Sequence, residues 1–244
     1  DRHGFKVVMD VVNLLSTSQR LHDTREAAMV GRGYYLSGTN FVIMQGGTDK
    51  RPLFYPFLLS LVHDFSGYRP ANTFILNALL TPLFLLLVYA VARRLSGPAA
   101  GVAAVLLLAT LPLLIQAMTG GGFELLNLVM IALVLLIGMI YAQRPTPDSL
   151  VAFCLSGVLL AQVRYESVLL IAPVGIVVLW TWWRQRSIEL PWAVILCPLL
   201  LVGYVWQHQL INVLPDIWQL KDRASAHGAF SFDYFYDNVG HALN

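Results

Sequence analysis
The residues able to do chemistry gather in one stretch. From His22 to Pro70 the chain carries Asp23, Arg25, Glu26, Arg32, Asp49, Lys50, Arg51, Asp64 and Arg69 among aromatic and apolar residues, and the next 140 or so positions are nearly free of charge. Carboxylates in such a segment can take up a proton, and its lysine and arginines can hold an anion. Three further charges stand out because apolar sequence surrounds them: Glu124 in AMTGGGFELLNL, and Arg164 with Glu166 in LLAQVRYESVLL. A charged group entering a membrane span is expensive unless it faces protein or a water-filled cavity.

Composition says what must position them. With 57% hydrophobic residues, only 12% charged and a mean hydropathy of +0.64, this is an integral membrane protein and not a soluble domain. A net charge of +2, with basic residues scattered, sets nucleic acid aside as a partner. Cys154 and Cys197 both fall inside apolar runs, where packing is the usual role of a free cysteine. The pattern predicts an all-α polytopic bundle of about six spans, near 71–92, 99–118, 123–142, 149–163, 167–183 and 191–209. The fourth and fifth are short for a full crossing. This divides the chain into an outer segment over 1–70, a transmembrane bundle over 71–209 and an outer tail over 210–244. Residues 1–20 read as amphipathic or irregular. TREAAMVGRGYYL predicts a surface helix over 24–36, with Asp23 or Thr24 as its N-cap and Ser37-Gly38 as its stop. After a turn at Gly46-Gly47, PLFYPFLLSLVHDF is long enough only for an interfacial or re-entrant helix.

Arg93, Arg94, Arg144, Arg184 and Arg186 occupy the loops of one side, and the positive-inside rule makes that side cytoplasmic. The segment before the first span and the tail then lie outside the cytoplasm. Trp180, Trp182, Trp183, Trp192 and Trp206 fit an interfacial aromatic belt.

The order of Asp23, the TREAAMVGRGYYLSG segment, KRPLFYPFLLSLVHDFSGYR and a long span closing in AVARRLSG resembles the amino-terminal half of a GT-C glycosyltransferase. Protein O-mannosyltransferases and the aminoarabinose transferase belong to that superfamily. The resemblance covers roughly residues 20–186. It implies an enzyme of the bacterial inner (plasma) membrane that moves a sugar from a polyprenyl-phosphate carrier to an acceptor hydroxyl on the extracytoplasmic face, with inversion. It implies no cofactor or metal beyond that lipid-linked donor, with membrane lipid as a partner; membrane protein partners belong to a reading of the chain as a subunit. Such chemistry needs a carboxylate to take the acceptor proton, cations for the phosphate leaving group and an apolar groove for the lipid.

By position in the motifs, the resemblance assigns Asp23 as base and Glu124 as a second acid. Lys50, Arg51 and Arg164, with Glu166 beside it, become phosphate-site residues, and His22, Glu26 and Arg69 are secondary candidates. Each has a plainer reading. Asp23 can be a helix cap, His22 a solvated histidine, and Glu124 an acid favoured by a helix dipole. Lys50, Arg51 and Arg69 can anchor the chain at the interface, and Arg164 can simply pair with Glu166. The stop at Asn244 favours a rival from another class, a non-catalytic subunit of a membrane complex that kept this fold. A transporter fits poorly, because no internal repeat is present.

Overall fold
The computed structural model describes residues 9–27, 32–37, 40–45 and 51–202. Helix α1 spans Met9–Thr24, strands β1 (Arg32–Ser37) and β2 (Asn40–Gln45) form an antiparallel hairpin, and α2 spans Phe54–Ser66. Then come α3 (Asn72–Ser96), α4 (Pro98–Ala109), α5 (Pro112–Thr119), α6 (Glu124–Gln143) and α7 (Pro147–Ala161). A 3-10 turn over Tyr165–Leu170 leads into α8 (Ile171–Gln185), and α9 (Trp192–Leu196) runs into a second 3-10 turn over Cys197–Leu201. The all-helical expectation holds, with the hairpin as its one departure among the described residues.

Local sequence explains several boundaries. Gly97 takes a φ of +89°, which favours glycine, and Pro98 supplies the first residue of α4. Leu111, ahead of Pro112, is held extended, so the apolar run expected as one span breaks into α4 and α5 with a 76° bend. Thr146 and Ser149 form a reciprocal capping box at the start of α7, with Pro147 just inside.

Among the described residues, three segments are long and apolar enough to cross a bilayer: α3, α6 and the continuous stretch Tyr165–Gln185. The bent α4–α5 pair makes a fourth if it counts as one span. The expected fourth span becomes the 15-residue α7, about 22 Å against a hydrocarbon core of about 30 Å. The fifth, expected to be short, is 21 residues long because the 3-10 turn continues into α8. The sixth runs past the described residues, as does the tail.

The core lies between α3, α6 and α7. On α3, Leu76, Leu80, Phe84 and Leu87 are buried while Ile75, Leu79, Leu83 and Leu86 are exposed, so one face packs and the other is an aliphatic surface suited to lipid. Helices approach closely where glycines allow it: a Cβ on Gly101 would meet the Tyr89 ring at 2.6 Å, and one on Gly138 the Phe153 ring at 2.8 Å. Asn77 of α3 bonds the loop entering α6, and Arg94 Nε at the far end of α3 donates to Gln143 Oε1 at 3.1 Å. Helices α3 and α6 are therefore parallel. The starts of α3, α6 and the Tyr165 segment share one end of the bundle, and Arg93, Arg94, Arg144, Arg184 and Arg186 share the other.

Two expectations at the amino-terminal side are corrected. The helix found here lies over Met9–Thr24, mostly in the stretch read as amphipathic or irregular, and the second half of the helix expected over 24–36 is strand β1. Arg25 takes a φ of +58°, a left-handed exit that stops α1, and Tyr34-Tyr35-Leu36 suits a strand as well as a helix. Residues 1–8, which open the stretch read as amphipathic or irregular, and the Gly46-Gly47 turn lie outside the described residues.

Candidate functional site
Glu124 is the first residue of α6, reached through Gly120-Gly121-Gly122-Phe123. That loop is held by buried side chains. Asn77 Nδ2 donates to the carbonyls of Gly120 (2.6 Å) and Gly122 (3.1 Å), and the Tyr55 hydroxyl donates to the carbonyl of Gly121 (3.1 Å). Burial, and then the charge of Glu124, push the Tyr55 phenol well above its ordinary pKa and keep it a donor. The Glu124 carboxylate folds back over Gly122, into the space that a Cβ there would fill.

Beside this loop is a cavity of about 560 Å³, walled by Leu14, Phe84, Leu114 and Phe123 and carrying Glu124, Asn127 and Arg164. Arg164 stands in extended backbone between the end of α7 and the Tyr165 turn. Its guanidinium lies 5.2 Å from the centre of the Phe123 ring and donates from Nε and an Nη to the two Glu166 oxygens, both at 3.2 Å. Asn127 Oδ1 accepts from Ser167 Oγ at 2.7 Å, which ties α6 to the turn after Arg164. The Phe54 amide donates to Gln162 O at 3.3 Å, bringing the chain just after Arg51 alongside the chain just before Arg164. Arg51 is buried and within electrostatic range of Tyr165.

His22, Asp23 and Glu26 lie elsewhere at the same end of the bundle. Asp23 is in the last turn of α1, so the N-cap expectation is corrected: it sits where a helix finishes. Its carboxylate is half exposed, 3.9 Å from His22 Nε2. His22 Nδ1 lies 2.7 Å from Asp64 Oδ1, and Arg25 forks onto the same carboxylate at 2.9 and 3.2 Å. Hydrogen bonds from Arg25, then from His22, hold the Asp64 carboxyl below the usual range. Arg20 engages Glu26. Beneath them His63 is fully buried. Asn72 Nδ2 donates to His63 Nδ1 at 2.7 Å, which leaves Nε2–H to donate to Ser18 Oγ at 3.2 Å; Ser18 donates onward to Leu15 O at 2.8 Å. That chain defines a neutral imidazole, and burial, foremost, lowers its pKa.

Both Val11 and Leu14 line the cavity, and Asp23 lies nine residues past Leu14 on the same helix, about 14 Å farther along its axis. The fold thus brings Glu124 and Arg164 to one cavity, with Glu166 paired to Arg164 and Arg51 near the Tyr165 turn, and leaves His22, Asp23 and Glu26 in another place. Arg69 is exposed in the link to α3, where its carbonyl accepts from the Asn72 amide at 3.0 Å. Lys50 lies outside the described residues. Among the described residues no three His, Cys, Asp or Glu side chains converge as metal ligands would. Sequence reasoning passed over Tyr55, His63, Asn72, Asn77 and Asn127. The available signal was an asparagine recurring within spans otherwise almost wholly apolar.

No curated protein and no solved structure matches the chain. The model of one family does, over residues 50–206, well over half its length and including Arg51, Glu124, Arg164 and Glu166. On that match the chain belongs to the dolichyl-phosphate-mannose-protein mannosyltransferase family, membrane glycosyltransferases of the GT-C type.

Proposed function
We propose that the protein transfers a sugar, mannose being the first to test given the family's name, from a polyprenyl phosphate to an acceptor hydroxyl on the extracytoplasmic side. The observation that carries this reading is that Glu124 and Arg164 line one cavity whose remaining wall is mostly apolar. Glu124 takes the proton of the acceptor hydroxyl as its oxygen attacks the anomeric carbon. The bond from that carbon to the phosphate oxygen breaks on the opposite face, and the configuration inverts. Arg164 receives the charge that builds on the departing phosphate, with Arg51 nearby and Lys50 next to it in the chain. The leucine and phenylalanine wall suits the first isoprene units of the carrier. Clustering of Arg93, Arg94, Arg144, Arg184 and Arg186 at the far end supports an extracytoplasmic cavity mouth.

A second reading gives the base's role to Asp23, favoured by its open carboxylate at the same end of the bundle. Glu124→Gln and Asp23→Asn, each in the full chain reconstituted with polyprenyl-phosphate mannose and a hydroxyl-bearing peptide acceptor, separate the two. Loss of transfer of at least about a hundredfold in Glu124→Gln, with Asp23→Asn retaining most of it, supports the first reading. The reverse pattern exchanges the roles, and a wild-type chain inert with every lipid-linked sugar tried would make it a non-catalytic subunit.

A further inference from the structure
We infer that Asn77 and Tyr55 are positioning residues for Glu124, acting through the Gly120–Gly122 loop they bond, and that Gly122 is the residue whose missing side chain leaves room for the carboxylate. This rests on the reading of Glu124 as the base.

Asn77 is fully buried in a mostly apolar span, where an amide is costly unless it is used. Its use is unambiguous. Nδ2 faces the carbonyls of Gly120, Gly122 and, at 3.4 Å, Ala117, so only the nitrogen can point there. The opposite amide orientation would set oxygen against three oxygens, and Oδ1 meanwhile has no partner. Tyr55 grips the remaining glycine of the loop from α2. A Cβ on Gly121 would come within 3.0 Å of Thr73 Oγ1, so the loop lies tight against α3. All three glycine carbonyls are thereby tied to neighbouring helices immediately before Glu124, on a loop with no side chains to wedge it in place. At Gly122 the obstacle to a Cβ is the Glu124 carboxylate itself, the movable end of a flexible side chain. Alanine there shifts the carboxylate while the backbone stays.

The test uses the full chain with polyprenyl-phosphate mannose. Gly122→Ala should lower kcat about 10- to 100-fold with donor KM changed less than about threefold, because Arg164, which holds the donor, is not moved. Tyr55→Phe, which removes only the hydroxyl, should lower kcat severalfold in the same way. A second readout does not depend on activity. With Cys154→Ser and Cys197→Ser as background, Gln116→Cys on the cavity wall is labelled by a membrane-impermeant maleimide. Asn77→Ala should speed that labelling severalfold as the loop comes free, and Gly122→Ala should not. Unchanged labelling in Asn77→Ala, or a KM effect in place of a kcat effect in Gly122→Ala, overturns the inference. If Glu124→Gln is itself fully active, the parent reading fails and kcat carries no information about the loop; the labelling rate then decides whether Asn77 holds it.

Discussion
Arg164 offers the sharpest test, because one arginine meets two readings: holder of the donor phosphate, or partner of Glu166. Its side chain is about a third exposed and already forked onto Glu166 at 3.2 Å. A guanidinium and a phosphate oxygen about 4 Å apart attract by about 4 kcal/mol at an effective dielectric of 20. Discounted for the exposure of Arg164, about 2–3 kcal/mol remains, or roughly 30- to 150-fold in kcat/KM. Arg164→Ala should show that loss in transfer from polyprenyl-phosphate mannose. Arg164→Lys should recover part of it, keeping the charge and losing the fork. Glu166 is about half exposed, so leaving it alone costs under about 1 kcal/mol and the unfolding midpoint should barely move. The double variant Arg164→Ala/Glu166→Ala decides between the readings. A phosphate holder, once lost, is not restored by removing Glu166, whereas a purely structural pair would regain activity when both partners go. Activity of Arg164→Ala within about threefold of wild type would refute the reasoning.

Other outcomes follow from the geometry. His63 is buried neutral with a lowered pKa, so below about pH 6.5 the unfolded chain binds a proton that the folded chain refuses. Stability should fall as pH drops from there toward the folded pKa, by at most about 1.4 kcal/mol per pH unit, and His63→Gln should flatten that slope in detergent-solubilised unfolding curves. Asp64, held low by Arg25 and His22, contributes stability that is lost only at more acid pH, below the ordinary aspartate range, so the two windows separate. Gly138→Val would drive a Cβ to 2.8 Å from Phe153 and should cost about 1–3 kcal/mol, read as a lowered midpoint. Gly175→Ala meets nothing within 4 Å and should be neutral in the same assay.

Membrane residence, helical class and the end of the molecule that carries the charges were legible in the sequence. They depend on additive quantities, namely apolar run length and the count of arginines per loop, which need no knowledge of partners. Glu124 and Arg164 stood out for a related reason: a charge beside apolar sequence is conspicuous without any fold. The amino-terminal segment was misjudged because its apolar spacing suits helix and strand alike. The boundary is set instead by Arg25 leaving α1 left-handed and by the pairing of β1 with β2, a contact absent from local sequence. Only the tertiary structure decided that Glu124 and Arg164 share one cavity, with Glu166 paired to Arg164, while Asp23 lies beside His22, which in turn meets Asp64. That outcome depends on the packing of α1 against α2 and on the tie between Phe54 and Gln162, pairings between residues far apart in the chain. The same holds for Asn77. An asparagine inside a mostly apolar span was visible in the sequence, but its three carbonyl partners come together only when α3 and the turn before α6 are side by side.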